Sequence, residues 1–279
     1  MARIVGGVTT SHIPAVGNAI ANALQDEPYW KRFFAGYEPV KEWLSKVDPD
    51  VAIVIYNDHG LNFFLDKMPT IALGCADRYA NADEGWGLQA QKSFEGDAAF
   101  SWHLAESLVE QEFDITTCQE MLVDHGFIVP MTLMWGHLPD WPVRGIPLAI
   151  NTVQHPIPSA RRLLKLGRAL GRAIESYPED LKVVIFGTGG MSHQLQGERA
   201  GIIDVDYDIQ CMESVASNPE WLASQSTTEI MERAGTEGVE VIMWLAMRGA
   251  LAEDAKLIHK HYHAPISNTG AGVLVLENA

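Results

Sequence analysis

Three histidines in this chain each follow a short apolar run, where a strand would give way to a loop. Residues 3–8 lead to His12, residues 51–55 to His59, and residues 183–186 to His193. In an open α/β sheet the loops at the carboxyl ends of the strands share one crevice, so imidazoles placed this way converge on a ligand site. Glu240 adds a carboxylate inside the otherwise apolar stretch 238–247. A carboxylate among such neighbours costs free energy unless a cation or a donor satisfies it. Neither Arg248 nor Lys256 stands three or four residues away, where a helix would bring it alongside. Two histidines and one carboxylate form the facial triad that holds Fe(II) in non-haem oxygenases and leaves coordination positions open for substrate and dioxygen. The same donors also hold catalytic Zn(II), so ligand type alone leaves a zinc hydrolase open.

Other histidines carry less chemistry. Asp124-His125-Gly126 repeats Asp58-His59-Gly60 at another apparent element end, which raises His125 above the rest. His259, His261 and His263 alternate as histidines on exposed strands or loops do, with no carboxylate at a matching spacing, and are read as structural. His103 and His137 have the same reading, and His155 precedes a proline in a loop. Gly187-Thr188-Gly189-Gly190 fits neither dinucleotide nor P-loop spacing. Its glycines are read as a tight backbone turn that aims His193 into the crevice. No GxSxG elbow and no HExxH helix occur.

The elements that must position these residues follow from hydrophobic periodicity. Apolar runs at 3–8, 51–55, 68–73, 146–150, 182–186 and 271–276 read as strands. Residues 100–112 carry apolar positions at helical spacing, and Ser159 caps a longer helix whose Leu163, Leu166, Leu170 and Ile174 recur every three to four residues. Residues 77–87 read as an ordered loop or lid. Strands alternating with such helices predict one α/β domain over 1–279, a mainly parallel central sheet flanked by helices, with the metal site at the strand ends.

Composition narrows the partners. With 36 Asp and Glu against 20 Lys and Arg, the formal charge of −16 repels nucleic acid and anionic membrane surfaces. An acidic small substrate would meet the same field, so its pocket must be locally positive through a metal, a helix N-terminus or a few cations. Cys75, Cys118 and Cys211 form no CxxC pair and no disulfide framework, which fits a reducing cytoplasm. No run of about 18 apolar residues is present, and the N-terminus lacks the pattern of a signal peptide.

Taken together, Thr10-Ser11-His12-Ile13-Pro14, Tyr56-Asn57-Asp58-His59, Ala82-Asp83-Glu84-Gly85-Trp86-Gly87, Val123-Asp124-His125-Gly126, the segment 187–197, the segment 235–240 and Ser267-Asn268-Thr269 resemble the type II (class III) extradiol ring-cleavage dioxygenases, most of all the catalytic β subunits of the protocatechuate 4,5-dioxygenase type. The match runs from residue 5 to about residue 275. The resemblance implies His12, His59 and Glu240 as Fe(II) ligands, His193 as acid and base, His125 as a second polar contact, and Asn57 and Ser267 as holders of the ring carboxylate. It implies dioxygen as co-substrate and opening of protocatechuate at the 4,5 bond to a carboxy-hydroxymuconate semialdehyde, with gallate or a methylated gallate as the alternative substrate. It also implies a small α subunit as partner in a hetero-oligomer (alpha2beta2), because this chain ends at Ala279 without a fused helical domain.

Overall fold

A computed structural model describes residues 1–84, 93–136 and 141–278. Gly85, Trp86, Gly87 and His137, singled out in the sequence, lie outside the described residues. The chain opens with β1 (Arg3–Thr10), α1 (Pro14–Ala21), α2 (Pro28–Ala35), α3 (Glu38–Val47) and β2 (Val51–Tyr56). Four short strands and a helix follow: β3 (Ile71–Gly74), β4 (Arg78–Asn81), β5 (Phe94–Glu95), α4 (Ala98–Glu110) and β6 (Thr116–Cys118). Next come β7 (Leu122–Val123), α5 (His125–Trp135), β8 (Arg144–Ile150), α6 (Ala160–Glu175) and β9 (Lys182–Thr188). Helices α7 (Val205–Ser217), α8 (Pro219–Ala223) and α9 (Thr227–Ala234) precede a short 3-10 turn, Glu237–Val241. Helix α10 (Ile242–Ala250) and the hairpin β10 (Lys256–Ile266) and β11 (Thr269–Glu277) complete the chain.

Eight strands form one sheet in the order β10-β11-β1-β9-β2-β8-β3-β6. Its centre, β1-β9-β2-β8, is parallel, as the alternation of strands and helices predicts. The flanks differ: β11 joins β1, β10 joins β11, and β3 joins β8 in antiparallel fashion. Because β1, β9 and β2 are adjacent and parallel, their carboxyl ends lie at one sheet edge, and His12, His193 and His59 follow those three ends.

Both sheet faces are buried, so β2 reads as a continuous apolar run rather than an alternation. Its side chains divide the core. Val51, Ile53 and Ile55 pack with α4, α6 and α10, whereas Ala52, Val54 and Tyr56 pack with α1, α2, α3 and α5. The segment 123–134 is mostly α5. The Asp124 side chain caps that helix by accepting from the Gly126 N–H. Ser159 caps α6 as expected, accepting from the Arg162 N–H at 3.2 Å. The stretch 77–87, read as a loop, contributes β4 to a small three-stranded sheet with β5 and β7.

Helices α6 and α10 meet at glycines. A Cβ on Gly167 would overlap the Ala246 carbonyl oxygen and crowd Gly249 Cα, both backbone atoms that cannot swing aside. Gly167→Ala is therefore expected to cost roughly 1–3 kcal/mol as overpacking. Thermal denaturation of the variant beside the wild type checks this, and an unchanged midpoint would show that the pair can separate without penalty.

Candidate active site

The site is assembled from five loops at the sheet edge. His12 stands two residues past β1, buried, and its Nδ1 lies 3.0 Å from Thr188 Oγ1. That hydroxyl donates to the Ile55 carbonyl at 3.0 Å, so it accepts from His12 Nδ1–H and leaves the Nε2 lone pair facing inward. His59 is arranged in the same way. Asp124 Oδ2 accepts from its Nδ1 at 2.9 Å and from its backbone N–H at 2.7 Å, again freeing Nε2. Glu240, 6 % exposed in its 3-10 turn, brings Oε2 to 3.3 Å from His12 Nε2 and Oε1 to 3.9 Å from His59 Nε2. The Gly190 N–H and Asn57 Nδ2 hold the carboxylate from outside, at 3.0 and 3.3 Å.

Gly189 makes that approach possible. Its φ of +91° is a conformation suited to glycine, and a Cβ there would sit 2.7 Å from Glu240 Cβ.

Two imidazole lone pairs and a carboxylate, all acceptors, face one another in a buried space. Such an arrangement needs a cation or a proton at its centre. Burial would raise the Glu240 carboxyl, but His12, His59 and His193 around it hold it well below the usual carboxylate range. Burial lowers His12 despite Glu240 beside it. Burial also works against a charged His59, yet Asp124 and then Glu240 hold that ring up, to about 10. Asp124 is itself pulled down to about 2, its burial outweighed by His59. The donor set therefore fits a divalent metal ion on the two Nε2 atoms and Glu240, each imidazole oriented by a partner on its far nitrogen.

His193 and His125 complete the constellation. His193 Nδ1 lies 2.9 Å from the Met191 carbonyl, which fixes the proton there and turns Nε2 inward, 3.9 Å from Glu240 Oε2. His125 is held by Glu84, whose Oε1 accepts from Nδ1 at 2.7 Å and whose Oε2 accepts from the backbone N–H at 2.6 Å. The His125 ring lies 4.0 Å from that of His59, and His12, His59 and His125 offer ligand atoms within 4.8 Å of one another. His12, His59, His125, His193, Glu240 and Ser267 all line one cavity of about 600 Å³.

Asn57 differs from its expected place. Its amide nitrogen is 3.1 Å from His59 Nε2 and 3.3 Å from Glu240 Oε1, so it braces the ligands and does not line the cavity. Of the two expected carboxylate holders, Ser267 alone reaches the cavity wall, in the two-residue turn between β10 and β11, where it and Asn268 have φ of +49° and +60°. The alternating histidines of β10 stay structural: His259 Nε2 bonds the Gly36 carbonyl at 2.7 Å and His261 packs against Gly36.

Sequence reasoning missed the outer partners. Asp124 and Glu84 sat in quoted motifs without an assigned role, and Thr188 was read only as part of a glycine turn. Asp208 gave no signal at all: buried on α7, it accepts from the Ser192 N–H (2.9 Å), Ser192 Oγ (2.6 Å) and Tyr262 OH (2.6 Å), pinning the loop beneath His193. No Lys or Arg occurs among the described cavity residues, and the cations of α6 line a separate groove. The local positive potential that an acidic substrate requires is thus left to the metal and to the amino end of α1, at Pro14.

Asp124 does two jobs that one substitution separates. In Asp124→Asn the Oδ1 cap of α5 survives, because Asn caps as well as Asp, but the anionic partner of His59 is lost. Metal affinity is expected to fall roughly 10–100-fold with helix content unchanged. Metal titration followed by circular dichroism reads both quantities, and loss of helix with loss of metal would tie the two jobs together.

Comparison with known proteins points the same way. A family described as the catalytic LigB subunit of aromatic ring-opening dioxygenase matches residues 6–274. A gallate dioxygenase of Pseudomonas putida is 44% identical over 197 residues, 71% of this chain, which spans 58% of that relative's length. A 2,3-dihydroxyphenylpropionate/2,3-dihydroxicinnamic acid 1,2-dioxygenase of Photorhabdus laumondii is 25% identical over 96% of this chain and 95% of its own. The crystal structure of the uncharacterized protein JW3007 from Escherichia coli K12 has the same fold, with a TM-score of 0.61 at 11% identity over 97% of this chain and 99% of that one.

Proposed function

Since the chain belongs to the LigB family of class III extradiol, aromatic ring-opening dioxygenases, we propose that it opens the ring of gallate, a catechol acid with a third hydroxyl, using Fe(II) and dioxygen. The observation that carries the choice of ring is the 44% identity to a gallate dioxygenase. It favours gallate over protocatechuate, the substrate that the sequence motifs put first. Family membership also sets the zinc hydrolase aside.

Bound by His12, His59 and Glu240, Fe(II) would supply Lewis acidity toward two adjacent ring hydroxyls and a redox-active position for dioxygen. Ring opening adds both dioxygen atoms to carbons of the cleaved bond, so the ring itself is the electron source. His193 takes a ring hydroxyl proton on Nε2 while its Nδ1–H stays tied to Met191 O, and it returns that proton later in the cycle. His125 presents its remaining nitrogen to the same cavity, with Glu84 fixing the ring. Thr188, Asp124 and Asn57 keep the ligand atoms in place before substrate arrives, so little reorganisation is needed during turnover.

A small helical partner subunit, in the two-plus-two assembly that the motifs imply, is the proposed cover of the cavity mouth. Leu195 on the cavity wall is 64% exposed, an apolar surface such a cover would bury.

The test is oxygen uptake by anaerobically purified protein loaded with Fe(II), with and without its candidate small subunit, on gallate and on protocatechuate. Uptake with loss of the aromatic absorbance, faster on gallate, is the expected result. Uptake on protocatechuate alone would reverse the substrate order, and metal-loaded protein inert toward both, with the subunit present, would sink the reading.

A further inference from the structure

A catechol acid brings a carboxylate into a cavity that offers it no Lys or Arg among the described residues. Two cavity carboxylates are already committed. Glu84 holds His125, and Glu237 Oε2 accepts from the Leu195 N–H and from Thr236 Oγ1. Among the described residues the wall offers the anion three hydroxyl or amide side chains: Asn18, Ser267 and Thr269. Thr269 Oγ1 donates to the Ser267 carbonyl at 3.4 Å, which leaves Asn18 and Ser267.

Asn18 lies one turn along α1 from Pro14 and Ala15, on the face that these three residues turn to the cavity. It is the polar group on that face. Its carboxamide is oriented from behind: Asn22, at the end of the helix, donates through Nδ2 to Asn18 Oδ1 at 2.8 Å and to the Asn18 carbonyl at 2.9 Å. With Oδ1 occupied, the exposed Asn18 has its amide N–H groups open to solvent, with no acceptor among the described residues.

We propose that Asn18 is a specificity-determining residue whose side-chain N–H donates to the ring carboxylate of the substrate, acting together with Ser267, which lines the same cavity, with Asn22 as the group that sets its orientation. The proposal rests on the catechol-acid reading above. A donor to a charged oxygen contributes more than a neutral pair, and a site built to bond a group discriminates against ligands lacking it.

Binding without turnover separates this from a surface role. Calorimetry under strict anaerobiosis, on Fe(II)-loaded enzyme with its partner subunit, would compare gallate with its methyl ester in wild type, Asn18→Ala, Asn18→Asp and Asn22→Ala. The expected result is gallate binding weakened about tenfold in Asn18→Ala and further in Asn18→Asp, where two carboxylates face each other. Ester binding should change less than about twofold in Asn18→Ala, and Asn22→Ala should weaken gallate to a smaller degree. Equal weakening of acid and ester, or unchanged binding of both, would overturn the proposal while leaving ring cleavage intact. Failure of the wild type to bind either compound, with iron retained, would instead remove the substrate class and the proposal with it.

Discussion

His193→Ala is expected to retain its iron and to lose roughly 10²–10⁴-fold in kcat, the range for removal of a positioned acid and base. The split follows from geometry. His193 Nε2 is 3.9 Å from Glu240 Oε2, close enough to meet a ring hydroxyl near the metal, whereas the proposed ligand set of His12, His59 and Glu240 does not include it. Beyond the Nδ1 contact of the ring to the Met191 carbonyl, the loop is held by Asp208 and by the His193 N–H to the Ala234 carbonyl at 2.8 Å. Iron content by absorbance of a chelate and turnover by oxygen uptake, on the same preparation, provide the check. Loss of iron in proportion to activity would move His193 into the ligand set.

Glu240→Ala should do the opposite and abolish activity by abolishing metal binding. Without the carboxylate, two neutral imidazoles remain, and the charge that stabilises a divalent ion in this buried space is gone. The loss should exceed the roughly 10–100-fold that an outer partner such as Asp124 supplies. Glu240→Gln sharpens the test, since it keeps the volume and the acceptor for the Gly190 N–H while removing the charge. If Glu240→Gln bound metal as tightly as the wild type, the carboxylate would not be a ligand, and His125, whose ligand atom lies within 4.8 Å of those of His12 and His59, would be the third donor.

The convergence of these residues was legible in the sequence because residue type at strand ends is a local pattern. His12, His59, His193 and Glu240 meet as that pattern predicts. What the sequence withheld depends on distance in space. Asp124 looked like a copy of Asp58, yet the two act differently: Asp58 satisfies the backbone N–H groups of its own loop from Gly60 to Phe63, whereas Asp124 reaches across 65 residues to His59. Asn57 was misplaced for a related reason, since a residue two positions before a ligand can turn toward the ligand or toward the cavity. In the fold, hydrophobic periodicity located the central strands because both sheet faces bury them. It missed β10, exposed at the sheet edge, and could not tell that β11 runs antiparallel to β1, since strand direction leaves no mark on an apolar run.

The glycine seam between α6 and α10 bears on how this enzyme could acquire new substrates. Glu240 enters on the turn that opens directly into α10, so this carboxylate is built on a closely fitted helix pair, where an added methyl group already collides with backbone. Asn18 and Ser267 also line the cavity, on a two-turn helix and a two-residue hairpin turn. On the proposed reading these positions can vary while Glu240 stays fixed, and a mutant library confined to Ala15, Asn18, Ser267 and Thr269 should shift substrate preference without a toll on metal loading.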